Sequence, residues 1–144
     1  MSRTIHLVST ITGKHLTVNE SVIKLSSLIN NMLEDDEDDV VEIPLNYDHN
    51  EIEKIINFCN NFAIDPYKYE NRALSKGKAI NSSNIDTYVS EWYVNFVKSI
   101  NNEKYVEIAN FLDIRPMVEL LCLNIACMMK GKTTEEILAI FSKN

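Results

Sequence analysis

The segment Met117–Met129, MVELLCLNIACMM, holds eleven apolar residues in thirteen, interrupted only by Glu119 and Asn124. It is too short to cross a bilayer, which takes about 20 apolar residues in a row. A helix of this composition therefore has to be covered by protein on nearly every side. Glu119 and Asn124 lie five residues apart, about 140° around a helix, so they do not form one polar stripe. One face can pack on the chain's own preceding helix and on Trp92 and Phe96. The sequence that follows offers only a short helix for the other face. An apolar helix short of cover on one side is what a protein-binding surface looks like in sequence. The alternative is a helix wholly internal to the core.

The rest of the chain supplies the fold class. Ile5 and Leu7, then Leu16 and Val18, alternate with polar residues, and Thr12–Lys14 (TGK) lies between the two runs. A period of two on both sides of a turn predicts a β-hairpin with one buried face. From Glu20, the residues Val22, Leu25, Leu28, Ile29, Met32 and Leu33 follow helical spacing, with Ser26-Ser27 placed to split the segment into two short helices. The acidic run 34–39 reads as a solvated loop without the spacing of a calcium site. VVEIPL (40–45) reads as a short strand closed by Pro44. After Asp48, Ile52, Ile55, Ile56, Cys59 and Phe62 form the apolar face of a helix.

Residues 63–85 are polar and aperiodic, which predicts a mobile linker. Asp86 is placed to cap a helix carrying Val89, Trp92, Tyr93, Phe96, Val97 and Ile100. A helix over roughly 102–112 follows, then the apolar helix, with Pro116 in its first turn and Gly131 past its end. Thr133 with Glu136 makes a capping box for a last helix through Phe141. Strands come early and helices late, so the expected fold class is α+β and not a doubly wound sheet.

Charge and composition remove several function classes. The chain has 144 residues, 45% of them hydrophobic, enough for one domain with a sizeable core. A net charge of −7 argues against binding a phosphate backbone, which needs clustered Lys and Arg. Cys59, Cys122 and Cys127 sit in apolar helical patterns, with neither a CxxC pair nor a histidine at ligand spacing. Neither a disulfide framework nor a metal site is expected. MSRTIHLVST has no signal-peptide core, so the expected location is a reduced compartment, cytoplasm and/or nucleus, with no membrane partner. ACMMKGKT (126–133) fits a loose phosphate-loop pattern, but its first half continues a helix where the mechanism requires a strand and a glycine-rich loop. His6 and His15 fall on the hairpin, where a surface or strand histidine is expected in place of a general base, His49 sits at a helix start, and no serine or cysteine has the local signature of an activated nucleophile. No catalytic residue and no cofactor is expected.

At EIANFLDI (107–114), and again at ACMMKGKTTEEI (126–137), the chain strongly resembles the Skp1 family, the adaptors of cullin–F-box ubiquitin ligases. NFLDI is similar to the family's Asn-aromatic-Leu-Asp-Ile, and MMKGKTTEEILAIF to its Met-Ile-Lys-Gly-Lys-Thr-Pro-Glu-Glu-Ile segment. LINNMLEDD resembles the stretch before the family's acidic loop, and VEIPL the strand after it. The likeness spans nearly the whole chain, with the 63–85 linker as the divergent part. Thr134 stands where the family commonly has proline, a harmless change at a helix start.

The resemblance implies a BTB/POZ-type fold, a short sheet flanked by helices, with added C-terminal helices and no catalytic activity. It divides the chain into a BTB/POZ-like core over 1–100 and a segment 101–144 that completes the core and holds a truncated F-box-binding region. It also implies two partners. Asn110 and Phe111 match the turn that meets a cullin N-terminal domain. The helices after that turn hold the F-box, with Val118, Leu121, Ile125 and Met129 the positions expected to face it. The family pattern continues past Glu-Glu-Ile with two further helices, whereas this sequence ends at Asn144. A short variant and a trimmed chain both stay open, and so do a decoy that binds one side only and an adaptor with elongin C-like partners. Self-association of the free protein is a further expectation, from the surplus of apolar surface.

Overall fold

The structure, a computed structural model, describes residues 3–66 and 84–141. Two compact units divide the chain: one comprises residues 1–66 and 107–117, the other residues 67–106 and 118–144.

The first unit is built on a three-stranded sheet of order β2-β1-β3. Strands β1 (Thr4–Ser9) and β2 (His15–Asn19) are the expected hairpin, paired antiparallel with Ile5 opposite Val18 and Leu7 opposite Leu16. Gly13, at φ 75°, supplies the left-handed residue in the hairpin loop. Strand β3 (Val40–Leu45) lies parallel to β1, in register Ile5 to Val41 and Leu7 to Ile43. The period of two is strict on both strands: Ile5, Leu7 and Ser9, like Val41, Ile43 and Leu45, are buried. Pro44 does not close β3 but sits inside it. An edge strand has one side of its N–H groups without a ladder partner, so the missing donor is tolerated there.

A parallel pair needs a crossover, and here it carries two short helices, α1 (Glu20–Ile23) and α2 (Ser27–Glu34). The break falls at Ser26, whose side chain accepts from the Ile29 N–H at 3.2 Å. Serine offers the backbone a side-chain partner at a helix start, which a helix interior does not use. Helix α3 (His49–Ile64) opens on a capping box: Asp48 Oδ1 accepts from the Glu51 N–H at 2.8 Å, and Glu51 Oε1 accepts from the Asp48 N–H at 3.0 Å. Its buried face is Ile52, Ile55, Ile56, Phe58 and Cys59. The helix runs through Ala63 and Ile64, where the linker was expected to begin. Most of that linker lies outside the described residues, and its expected mobility with it.

In the second unit, a 3-10 turn (Ile85–Thr87) precedes α4 (Glu91–Lys98). Asp86 lies inside that turn and not at the N-cap of the helix, which starts only after Ser90. Ile85 is buried and its carbonyl accepts from the N–H groups of Tyr88 and Val89, so this segment tightens into a turn of its own. Tyr93, Val94, Phe96 and Val97 form the buried face of α4, with Trp92 stacked on Phe96 at 5.3 Å. Helices α5 (Asn102–Leu112), α6 (Arg115–Met129) and α7 (Thr134–Phe141) complete the chain. Pro116 is in the first turn of α6, as expected. Gly131 ends that helix at φ 74°, and Thr133 and Glu136 form the capping box of α7. The architecture is α+β, with a small sheet and a helical C-terminal part.

Candidate protein-binding faces

The first face forms where α5 stops. Asp113 adopts φ 54°, the left-handed conformation that asparagine and aspartate reach more readily than other non-glycine residues. Its N–H bonds the Asn110 carbonyl at 3.2 Å, and the N–H of Ile114 bonds the Ala109 carbonyl at 2.9 Å. These two bonds are a Schellman motif, and the buried Ile108, Ala109 and Ile114 give it the usual apolar seal. Two further bonds pin the turn from the start of α2. The Ser26 hydroxyl donates to the Leu112 carbonyl at 2.5 Å, and the Ser27 N–H to the Asp113 carbonyl at 3.1 Å. Leu112 turns inward, which leaves Asn110 and Phe111 outside, with Phe111 58% exposed. An apolar ring held at a surface by a fixed backbone is a good interface anchor, because little order remains to be imposed when a partner arrives.

The second face is on α6, in the other unit. Met117, Leu120, Leu121, Leu123, Asn124 and Cys127 are buried, while Val118, Glu119, Cys122, Ile125, Ala126 and Met129 are not. At about 100° per residue each set covers roughly one half of the helix. The two polar interruptions fall on opposite halves. Glu119 belongs to the outer one. Asn124 belongs to the inner one, where its amide donates to Asn102 Oδ1 at 3.0 Å, while the Asn102 amide donates to the Val97 carbonyl at 2.9 Å. The outer half carries an apolar stripe, Val118, Cys122, Ile125 and Met129, two to three turns long.

Of the four positions expected to face an F-box, three lie on this stripe. Leu121 does not: it is fully buried, and Cys122 occupies the outward place one residue on. In a helix apolar all round, i+3 and i+4 are equally good continuations from Val118, and only packing decides between them. Cys122 was missed for that reason. The phosphate-loop look-alike fails on geometry, since Ala126–Met129 are the last turn of α6 and Lys130–Thr133 a short exposed turn before α7. Among the described residues, no group of three or more His, Cys, Asp or Glu could hold a metal ion.

Residues 4–63, the sheet with α1 to α3, match the model of the Skp1 family, tetramerisation domain. The E3 ubiquitin ligase complex SCF subunit sconC of Talaromyces marneffei is 33% identical over 132 residues, 88% of this chain and 77% of the relative. The S-phase kinase-associated protein 1 homolog of Tetrahymena thermophila is 35% identical over 133 residues, 88% of this chain and 75% of the relative. The chain belongs to the Skp1 family. In the sconC of Aspergillus clavatus the likeness, 35% over 147 aligned residues, takes in 99% of this chain and 86% of the relative. Both candidate faces, on α5 and on α6, therefore lie within the stretch that aligns with this relative. The small sheet with its helical extension is the POZ-type fold with C-terminal helices.

Proposed function

We propose that this chain is a non-catalytic adaptor of an SCF-type ubiquitin ligase, joining a cullin scaffold to an F-box protein. The observation that carries the reading is the pair of outward apolar faces, one in each unit, each held by ordered backbone and each inside the Skp1-like sequence. Asn110 and Phe111 meet the cullin N-terminal domain; Val118, Cys122, Ile125 and Met129 meet the F-box. The adaptor works in the cytoplasm and/or nucleus, on protein partners, without cofactor.

The test is a pull-down of the full chain with a cullin N-terminal domain and an F-box segment, separately and together. Capture of both at once supports the adaptor. Capture of one alone points to a decoy, and capture of neither overturns the reading. Replacing Asn110 and Phe111 together by Ala should weaken the cullin by about 2 kcal/mol or more, roughly thirtyfold, and leave the F-box untouched. Undiminished cullin affinity in a folded double variant would move the cullin face elsewhere.

A further inference from the structure

Beside Phe111 stands an aromatic that the family likeness does not single out. Tyr47, in the β3–α3 loop, meets the Phe111 ring edge-on, with centroids 6.2 Å apart and planes at 74°. The Tyr47 backbone is fixed by the hairpin. The buried Ser9 hydroxyl donates to the Tyr47 carbonyl at 2.6 Å, and accepts from the N–H groups of Ile11 at 3.3 Å and Thr12 at 3.1 Å. Next to it, the Thr10 hydroxyl bonds Asn46 Oδ1 at 3.0 Å. The hairpin tip, whose Ile11 is 61% exposed, is thus tied to the loop that supports Phe111. Tyr47 meets Phe111 with its ring and Ser9, the last residue of β1, with its carbonyl. One exposed carboxylate lies close to the pair, while Glu51 is buried. The exposed Glu107 sits one turn before Phe111 on the same side of α5, and both Glu107 and Glu51 act electrostatically on the Tyr47 hydroxyl, adding to the upward push of burial.

Resting on the adaptor reading, we propose that Tyr47 is a positioning residue of the cullin face, and that this face extends from Phe111 through Tyr47 to Ile11. Its occupant is a cullin helix that offers apolar side chains bordered by Lys or Arg. An edge-on neighbour restricts how the Phe111 ring can turn, so less freedom is lost when the partner closes on it. The exposed Glu107 suits a basic side chain opposite, which raises the association rate and makes it sensitive to salt.

Calorimetry of the full chain against a cullin N-terminal domain tests this with Tyr47→Phe, Tyr47→Ala, Phe111→Ala and the Tyr47→Ala, Phe111→Ala pair. Tyr47→Phe keeps the ring and should bind as the parent does. Tyr47→Ala should bind about three- to tenfold more weakly, and its effect should shrink when Phe111 is already Ala. If Tyr47→Ala does not fold, Tyr47→Leu takes its place, with the same loss expected. Full affinity in the Ala or Leu variant, alongside a weakened Phe111→Ala, overturns the role of Tyr47 and leaves the adaptor reading standing. An equal loss with and without Phe111 overturns positioning. No loss in Phe111→Ala itself overturns the positioning role and moves the cullin face elsewhere, and the adaptor reading then stands or falls on the pull-down alone. Ile11→Asp should also weaken binding, and an unchanged affinity removes the hairpin tip from the face. Glu107→Gln should flatten the salt dependence of association, and an unaltered dependence rules out the basic border.

Discussion

Cys122 and Cys59 show how far position alone separates two side chains of one kind. Burial pushes the Cys59 thiol up to about 12. Cys122 is exposed on the outer stripe of α6, and its thiol is also raised, by partial burial and then by Glu119. The thiolate is the reactive form, so neither is activated at neutral pH, but only Cys122 can be reached. A bulky maleimide at mildly alkaline pH should modify Cys122 well before Cys59 or the buried Cys127. The modified chain should lose F-box binding and keep cullin binding, and bound F-box should protect the thiol. Peptide mapping reads the site; modification at Cys122 without effect on F-box binding would take the stripe out of the interface. Another single-residue contrast is Arg3 with Glu20, joined at 2.8 Å, where Arg3 Nη1 also donates to the Asp36 carbonyl. Hydrogen bonds from the Arg3 side chain and then its backbone N–H hold the Glu20 carboxyl below its usual range, against a smaller opposing effect of burial. A carboxyl depressed in the folded state stabilises the fold above its unfolded value, about 4.3, and that contribution is lost as pH falls through the folded value. Arg3→Met should raise the Glu20 titration midpoint seen by NMR toward the ordinary glutamate value. A midpoint that does not move would exclude Arg3 as the cause.

The element that organises the first face is the junction of α2 with the end of α5. One hydroxyl, that of Ser26, caps α2 and satisfies the Leu112 carbonyl. Ser26→Ala removes a cap worth about 1 kcal/mol and strips a partner from a buried carbonyl, about 1–3 kcal/mol more. A loss of about 2–4 kcal/mol is expected in urea unfolding, with the slope unchanged; a loss within about 0.5 kcal/mol would mean that water or another group replaces the hydroxyl. Much of this level was legible in the sequence. The hairpin, β3 and the two faces of α3 follow from apolar period, and the α1–α2 break and the α7 capping box from residues whose side chains compete for backbone groups. What the sequence concealed depends on contacts between distant segments. Nothing local in LDIRP marks Asp113 as a left-handed residue, because the usual sign is glycine or asparagine. Nothing local pairs Tyr47 with Phe111. The 3-10 turn at Ile85–Thr87 arises from burying Ile85, which polar surroundings disguise. The choice of Leu121 over Cys122 failed because an all-apolar helix contains no contrast from which to read its inner side.

At the scale of the whole molecule, the acidic balance and the apolar faces belong together. A net charge of −7 keeps copies apart while α6 shows an apolar stripe. Charge holds off random association without filling the surface, so the free chain should still self-associate weakly, and an F-box partner should suppress it. Val118 and Ile125 are the pair to change, since both are only partly buried and lie seven residues, two turns, apart on the outer half of α6. Replacing both by Asp puts two carboxylates where an apolar partner must settle. F-box binding should fall by a hundredfold or more, about 3 kcal/mol, with the melting temperature little changed because both carboxylates can reach water. Leu121→Asp is the counterpart on the inner half. There the carboxylate has no partner and no water, a cost of several kcal/mol that should unfold the unit. Ultracentrifugation of the Val118→Asp, Ile125→Asp chain should find it monomeric without any F-box present. A double variant that stays folded and still binds the F-box tightly would leave α6 as an ordinary half-covered helix. A double variant that unfolds as readily as Leu121→Asp would mean that the stripe is already covered by the chain itself.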